Sequence, residues 1–391
     1  MVESIVTSIR SSAMIQVLPH VARLCAIEQP YLSEQESRPL FAEAMCELSR
    51  YHQARTPGYA RWLDDMGADL DCIAECGDWR ALPPVMTRLF KYMLPSSGDE
   101  MDATEMRSSG TSGQTSRMRY DTHSLAALMR MCDRIWAHYG WITPDQPCNY
   151  LMLSYEPDAS VAALGNARTN EFLCHYAPVN RAVYALRATG DAGQAHEFDA
   201  HGVIRALEEF AEEGLPVRML GFPSFLWFVL ERMRKRGHRP LALHPDSLVN
   251  LGGGWKLHAG QEVDKAVLRA RLAEQLGIDP QRCRDGYGAV EHGVPYIECA
   301  HHRFHVPSYA SACIRDPLRY RVCEEGATGL LHLMAPYIMA CPAHSVIPGD
   351  LATLWPPGDC ACGLPTASFI LHGRAGNAGN RSCAIAAAEL I

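Results

Sequence analysis

"RSSGTSGQTSRMRYD", Arg107 to Asp121, contains nine consecutive residues, Ser108 to Ser116, that are all Ser, Gly, Thr or Gln. Glycines open backbone conformations in which several N–H groups converge, and Ser and Thr hydroxyls add donors. A loop of this composition can wrap an anionic phosphate. The other reading is a solvated linker, and this stretch alone leaves both open. It is not a Walker loop, because no Gly-Lys-Ser/Thr follows. Arg107, Arg117 and Arg119 are the nearby cations.

The surrounding chain has 391 residues, 48% hydrophobic and 20% charged, which predicts a compact globular protein with a large core. A formal charge of -8 and a pI near 6.1 give no general field for phosphate backbones or anionic lipid, so nucleic acid is not an expected partner. Met1 to Met14 is too polar for a signal-peptide core, and no apolar run reaches the roughly 18 residues a membrane span needs. The expectation is a cytoplasmic protein without membrane association. Its fifteen cysteines are odd in number and scattered, which suits reduced, mostly buried thiols.

Residues 1 to about 80 read as helical, with apolar residues three and four apart in "LFAEAMCELSRYH" and a stop at "RTPGYA". From about 145 the texture changes. "NYLMLSY" (149–155), "VRMLGF" (217–222) and "SLVNLGGGW" (247–255) read as buried strands, alternating with the helical "VIRALEEFAEEG" and "FLWFVLERMRKRG". This alternation implies an α/β fold with parallel sheet. After about Leu330, shorter runs punctuated by Gly and Pro suggest a small β-rich subdomain. The expected division is a helical part over 1–100, an α/β nucleotide- and acid-binding core over 101–330, and a β-rich subdomain with a tail over 331–391.

Three elements, in order, change the reading of the Ser/Gly run. "SSGTSG" resembles the phosphate loop of AMP-forming acid ligases, the adenylate-forming superfamily. "DGYGAVEHG" (285–293) resembles that superfamily's Tyr-Gly-x-x-Glu element. "GDLATL" followed by "LHGR" (349–374) resembles its ribose-binding Asp and Gly-Arg pair. Within the superfamily, "DGYGAVEHGVPYIEC", "HRFHVP", "CACG" and "RSCAIAAAEL" resemble the LuxE-like acyl-protein synthetases of bacterial bioluminescence. Phenylacetate-CoA ligases share the Glu-Cys and Cys-x-Cys-Gly elements, and some short relatives act on phenazine-type acids.

The resemblance implies ATP-dependent activation of a carboxylic acid, fatty or aromatic, as an acyl adenylate. It assigns the triphosphate to Ser108, Ser109, Gly110, Thr111, Ser112 and Gly113, with Arg117 near the place of the superfamily's loop lysine. Glu291 would hold Mg2+, a hard cation suited to carboxylate oxygen. Tyr287 and Gly288 would lie near adenine, Asp350 would accept from the ribose hydroxyls, and Arg374 would sit close to ribose and phosphate. "NLGGGWKLHAG" fits the adenine-binding turn through Gly253 and Gly254, and Lys256 adds a cation. The larger enzymes carry a mobile C-terminal domain with a reactive lysine, which this chain is expected to lack, since seventeen residues without lysine follow Arg374.

Cys383 stands where the bioluminescence synthetases carry their acylated cysteine, and a thiolate attacks an adenylate readily. The implied second step is acyl transfer to Cys383 and then to a partner NADPH-dependent reductase. Two alternatives are a CoA ligase using free CoA and a nucleotide-binding scaffold subunit; a homo-oligomer is left open. Separately, Cys299, His305, Cys360 and Cys362, with His301 or His302 able to stand in for His305, offer four soft or borderline ligands, the donor set of a structural Zn2+ site.

Overall fold

The computed structural model describes residues 18–97, 103–108, 115–157, 172–191 and 194–375. Four helices open it: α1 (Pro19–Cys25), α2 (Glu34–Arg55), α3 (Pro57–Asp65) and α4 (Leu70–Cys76). At the start of α2 the Glu36 carboxylate accepts from the Ser33 N–H at 3.2 Å, one half of a capping box. Pro57 forces Thr56 into an extended conformation, which ends α2, and then serves as the first-turn residue of α3. "RTPGYA" is thus a break between two helices. Strand β1 (Val85–Met86) follows, and then the antiparallel ribbon of β2 (Ala103–Arg107) and β3 (Arg117–Asp121), which runs into α5 (Thr122–His138).

The central sheet contains β4 (Cys148–Tyr155), β5 (Val179–Asp191), β6 (Gln194–Phe198), β7 (Val217–Gly221), β8 (Leu248–Gly252), β9 (Cys283–Tyr287) and β10 (Tyr296–Ile297). Its order is β10-β9-β8-β7-β4-β5-β6, parallel from β9 to β5 and antiparallel at both edges. A strand covered on both faces needs apolar residues on both, and β4 alternates accordingly. Leu151 and Leu153 face one core with α6 (Ala200–Glu213), α7 (Pro223–Lys235) and α8 (Lys265–Leu276), while Tyr150 and Met152 face the other with α5. Helices α6 and α8 end at Gly214 and Gly277, both left-handed (φ 67° and 69°), where glycine carries no Cβ penalty.

A second sheet, largely antiparallel, comprises β11 (Phe304–His305), β12 (Ser311–Arg315), β13 (Thr328–Met334), β14 (Ser345–Ile347), β15 (Asp350–Trp355) and β16 (Ser368–Arg374), with β1 added in parallel to β14. The β-rich part therefore reaches back to Phe304, well before the change of texture near Leu330. Strands as short as β11 leave no period-2 signature to read. The core of this sheet also contains the inward faces of α1 to α4, so the first helices belong to it.

A buried polar cluster joins these helices to the sheet. The Ser49 hydroxyl lies 3.1 Å and the Tyr59 hydroxyl 3.0 Å from His344 Nε2, while His52 Nε2 meets the Ile338 carbonyl at 3.1 Å and Nδ1 meets the Ser97 hydroxyl at 2.8 Å. The two imidazoles stack with centroids 5.0 Å apart. Burial favours the neutral rings: it pulls His344 down to about 3 and holds His52 well below its ordinary value of 6.5. With both folded-state values depressed, the unfolded chain binds more protons below 6.5. The stability contribution is complete above that pH and lost progressively as pH falls toward 3. We expect the urea midpoint to drop steadily from pH 7 to pH 4 in wild type, and the slope to flatten in His344→Gln. An unchanged slope would remove His344 from this account.

Candidate active site

The Ser/Gly run connects β2 to β3. Its base is closed by two hydrogen bonds: Ser108 N–H donates to the Ser116 carbonyl at 3.0 Å, and Ser116 N–H donates to the Ser108 hydroxyl at 2.9 Å. Ser109, Gly110, Thr111, Ser112 and Gly113 lie outside the described residues. Arg117 is engaged below the loop. Its Nε and Nη2 donate to the Glu105 carboxylate at 3.1 and 2.8 Å, and Arg107 Nε donates to the same carboxylate at 2.8 Å. Arg117 first, and Arg107 after it, hold the Glu105 carboxyl at about 2, against burial that opposes them. In Arg117→Gln, side-chain NMR should show Glu105 titrating about one unit or more higher. A value still near 2 would mean that Arg117 is not its principal partner.

Glu291 faces this hairpin from the segment between β9 and β10. It is buried at 7% exposure, and burial raises its pKa while a hydrogen bond from Ser116 and the more distant charges of Arg374 and Lys91 act the other way. The segment is pinned by two tyrosines: Tyr120 donates to the Val290 carbonyl at 2.7 Å and Tyr337 to the His292 carbonyl at 2.9 Å. Gly293 sits between their hydroxyls with φ 76°, and any Cβ there would collide with both. The chain thus turns at Gly293 with Glu291 held against Ser116.

Asp350, at the start of β15, accepts from Tyr287 Oη at 2.9 Å through one oxygen and lies 3.3 Å from Arg374 Nε through the other. β15 pairs with β16 so that Asp350 is opposite Arg374, which places the guanidinium beside the carboxylate by register alone. Tyr287 comes from the other sheet. Its ring packs on Tyr296, Phe304 and Phe369, and burial, reinforced by the Asp350 charge, keeps its hydroxyl protonated far above the ordinary range. The residue as a whole is only partly exposed.

At the ends of β8 and β9, Gly252 is opposite Gly286, and a Cβ on Gly252 would lie 3.0 Å from the Gly286 carbonyl. Gly253 and Gly254 then turn with φ 77° and 67°, leading into a 3-10 helix, Lys256–Gln261. The Lys256 side chain is outside what the structure describes. Gly288 follows Tyr287 directly and is exposed. These glycines leave the C-terminal ends of the parallel strands bare, where open α/β sheets take their ligands. Beyond them is an aromatic wall: Phe225 and Phe228 of α7 lie 5.9 and 4.9 Å from the His258 ring, and Tyr155 lies 6.1 Å from Phe222.

One charged group is not legible in the motifs. Lys265 Nζ bridges Asp285 and Glu298, the latter at 3.1 Å, and Glu298 also accepts from the Asp285 N–H at 3.0 Å. Burial pulls the ammonium's pKa down, but the two carboxylates outweigh it and leave Lys265 above its ordinary value. This bridge braces β9 two residues from Tyr287. Cys299, His305, Cys360 and Cys362 also converge, with their ligand atoms all within 4.8 Å of one another. Cys383 lies outside the described residues.

A parallel sheet ending in glycine turns thus meets a second sheet that brings an aspartate and an arginine to the same place. The fold is shared with 2-hydroxyisobutyryl-CoA ligase in an open conformation, with a TM-score of 0.63 at 12% identity over 90% of this chain and 79% of that one. The thioesterification-state structure of that ligase gives 0.63 at 13%, over 88% and 69%. At such identities the likeness concerns the fold. The family model described as acyl-protein synthetase, LuxE, matches residues 19–391, and the chain belongs to that family. It is similar to the long-chain-fatty-acid–luciferin-component ligase of Vibrio harveyi, 23% identical over 315 residues covering 80% of this chain and 79% of that protein. The Aliivibrio fischeri protein of the same name is 22% identical over 321 residues, with the same coverage.

Proposed function

We propose that this protein is an AMP-forming ligase that activates a carboxylic acid and then carries its acyl group on Cys383. In the first step an oxygen of the acid attacks the α-phosphorus of ATP, the bond to the bridging β-phosphate oxygen breaks, and pyrophosphate leaves. In the second, the Cys383 thiolate attacks the acyl carbonyl carbon, the bond to AMP breaks, and a thioester remains. A partner reductase using NADPH would then release the acyl group as an aldehyde. Family membership and the relatives' names support the acid and the partner, while the observation that carries the reading is the Tyr287–Asp350–Arg374 constellation beside Glu291 and Ser116.

In this reading Asp350 accepts from the ribose hydroxyls, its two existing donors fixing which lone pairs remain free. Arg374, exposed to solvent, meets the α-phosphate, where charge accumulates as pyrophosphate departs. Ser108 and the loop to Gly113 cradle the triphosphate. Glu291 is an oxygen donor fitted to Mg2+, which supplies charge neutralisation on the departing phosphates. Gly253, Gly254 and Gly288 border adenine, and Lys256 stands at the turn as a further cation. Phe225 and Phe228, both partly exposed, offer apolar surface to a fatty or aromatic acid. Among the described residues no helix is long and apolar enough to cross a membrane.

Intact-protein mass spectrometry after incubation with Mg-ATP and a panel of fatty and aromatic acids tests this. We expect a hydroxylamine-labile acyl mass on wild type and none on Cys383→Ala. Acid-dependent pyrophosphate release with no adduct on either protein would discard Cys383 and leave CoA or the partner as acceptor. At the nucleotide, Asp350→Ala should raise the KM for ATP by roughly 10-fold or more, the scale of hydrogen bonds to a charged group, and Tyr287→Phe by only a few fold. Equal, negligible effects would argue against the ribose assignment.

A further inference from the structure

The cysteine–histidine cluster takes no part in these steps, yet its geometry is specific. Cys299 and Cys360 Sγ lie 3.7 Å apart, too far for a disulfide, and Cys362 Sγ lies 3.1 Å from His305 Nε2. A tetrahedral zinc with Zn–S bonds of about 2.3 Å sets its sulfurs about 3.8 Å apart. His305 is fully buried, and its other nitrogen, Nδ1, is 3.3 Å from the Thr366 hydroxyl, the outer partner that fixes a ligating imidazole. The His301 N–H points at Cys299 Sγ from 3.4 Å. Three sulfurs and one imidazole favour zinc over the hard, oxygen-seeking cations.

The cluster borders the aromatic rings that underlie Tyr287. His305 follows Phe304 on β11, and Cys360 and Cys362 lie on the connection from β15 to β16. β11 and β16 pair with Phe304 opposite Phe369 and His305 opposite Ser368. The Phe304 and Phe369 rings stack at 5.3 Å, and the Tyr287 ring rests 6.1 Å from each. Cys299 closes the third side, two residues after Ile297, where β10 pairs with the strand bearing Tyr287.

We propose that Cys299, His305, Cys360 and Cys362 bind a structural Zn2+, and that this metal holds the Phe304–Phe369 floor on which the Tyr287–Asp350 pair stands. Loading releases three thiol protons to solvent and leaves the imidazole neutral. The metal joins residues 61 positions apart, a closure that side-chain packing alone must otherwise maintain. The link to nucleotide binding rests on the function proposed above; the metal site itself does not.

The test uses the full chain. Metal analysis should find one zinc per chain, cobalt exchange should produce thiolate-to-cobalt absorption, and Thr366→Val should weaken zinc affinity roughly 10-fold. Chelator-stripped protein, checked by circular dichroism, should bind a fluorescent ATP analogue several-fold more weakly and recover on zinc addition. Absence of both zinc and the cobalt absorption would overturn the site. Zinc present, with nucleotide affinity unchanged on stripping, would overturn the link to Tyr287. Failure of the ligase reading would look different: no acid would release pyrophosphate, while metal content and cobalt absorption stayed as expected.

Discussion

Asp350 accepts from a tyrosine of one sheet while pairing with an arginine of the other, and the candidate active site is built on that carboxylate. Tyr287 ends a strand of the parallel sheet, whereas Asp350 and Arg374 are register partners in the antiparallel one. The seam between the sheets is therefore a polar contact with an aromatic underside. A carboxylate this buried requires donors, and Tyr287 and Arg374 are the two beside it. Moving either sheet would break the contact, so the relative placement of the sheets and the geometry of the site are one constraint.

The elements around the seam restrain it. Lys265 ties Asp285 to Glu298 and braces the strand that ends in Tyr287. Tyr120 and Tyr337 grip the carbonyls flanking Glu291, so the acid is presented to Ser116 by a turn that only glycine can make at position 293. The first four helices act from further away, through the His52–His344 cluster and the shared apolar core. Much of this support comes from buried polar groups whose partners lie far off in sequence, and such groups destabilise the fold when a partner is lost.

The parallel sheet was legible because its strands are buried on both faces and read as apolar runs, "NYLMLSY" above all, alternating with helical stretches closed by glycines. The candidate site segments stood out for another reason: "SSGTSG", "DGYGAVEHG" and "GDL" follow one another in the order of a known superfamily's motifs. What escaped depends on register and distance. Arg117 reads as a free cation beside a phosphate loop until β2 and β3 are paired and Glu105 proves to be its neighbour. Lys265 meets Glu298 across 33 residues, and no local pattern announces it. Strand β11 has two residues, too few for a period, yet it carries both Phe304 and His305.

The most direct measurement of the central claim is acid-dependent exchange of labelled pyrophosphate into ATP, made on wild type, Cys383→Ala and Asp350→Ala. Exchange reports adenylate formation and needs no acyl acceptor. The account predicts exchange in wild type that appears only with a suitable acid, persists in Cys383→Ala and falls sharply in Asp350→Ala. ATP binding with no exchange across fatty and aromatic acids, or exchange indifferent to Asp350, would contradict it.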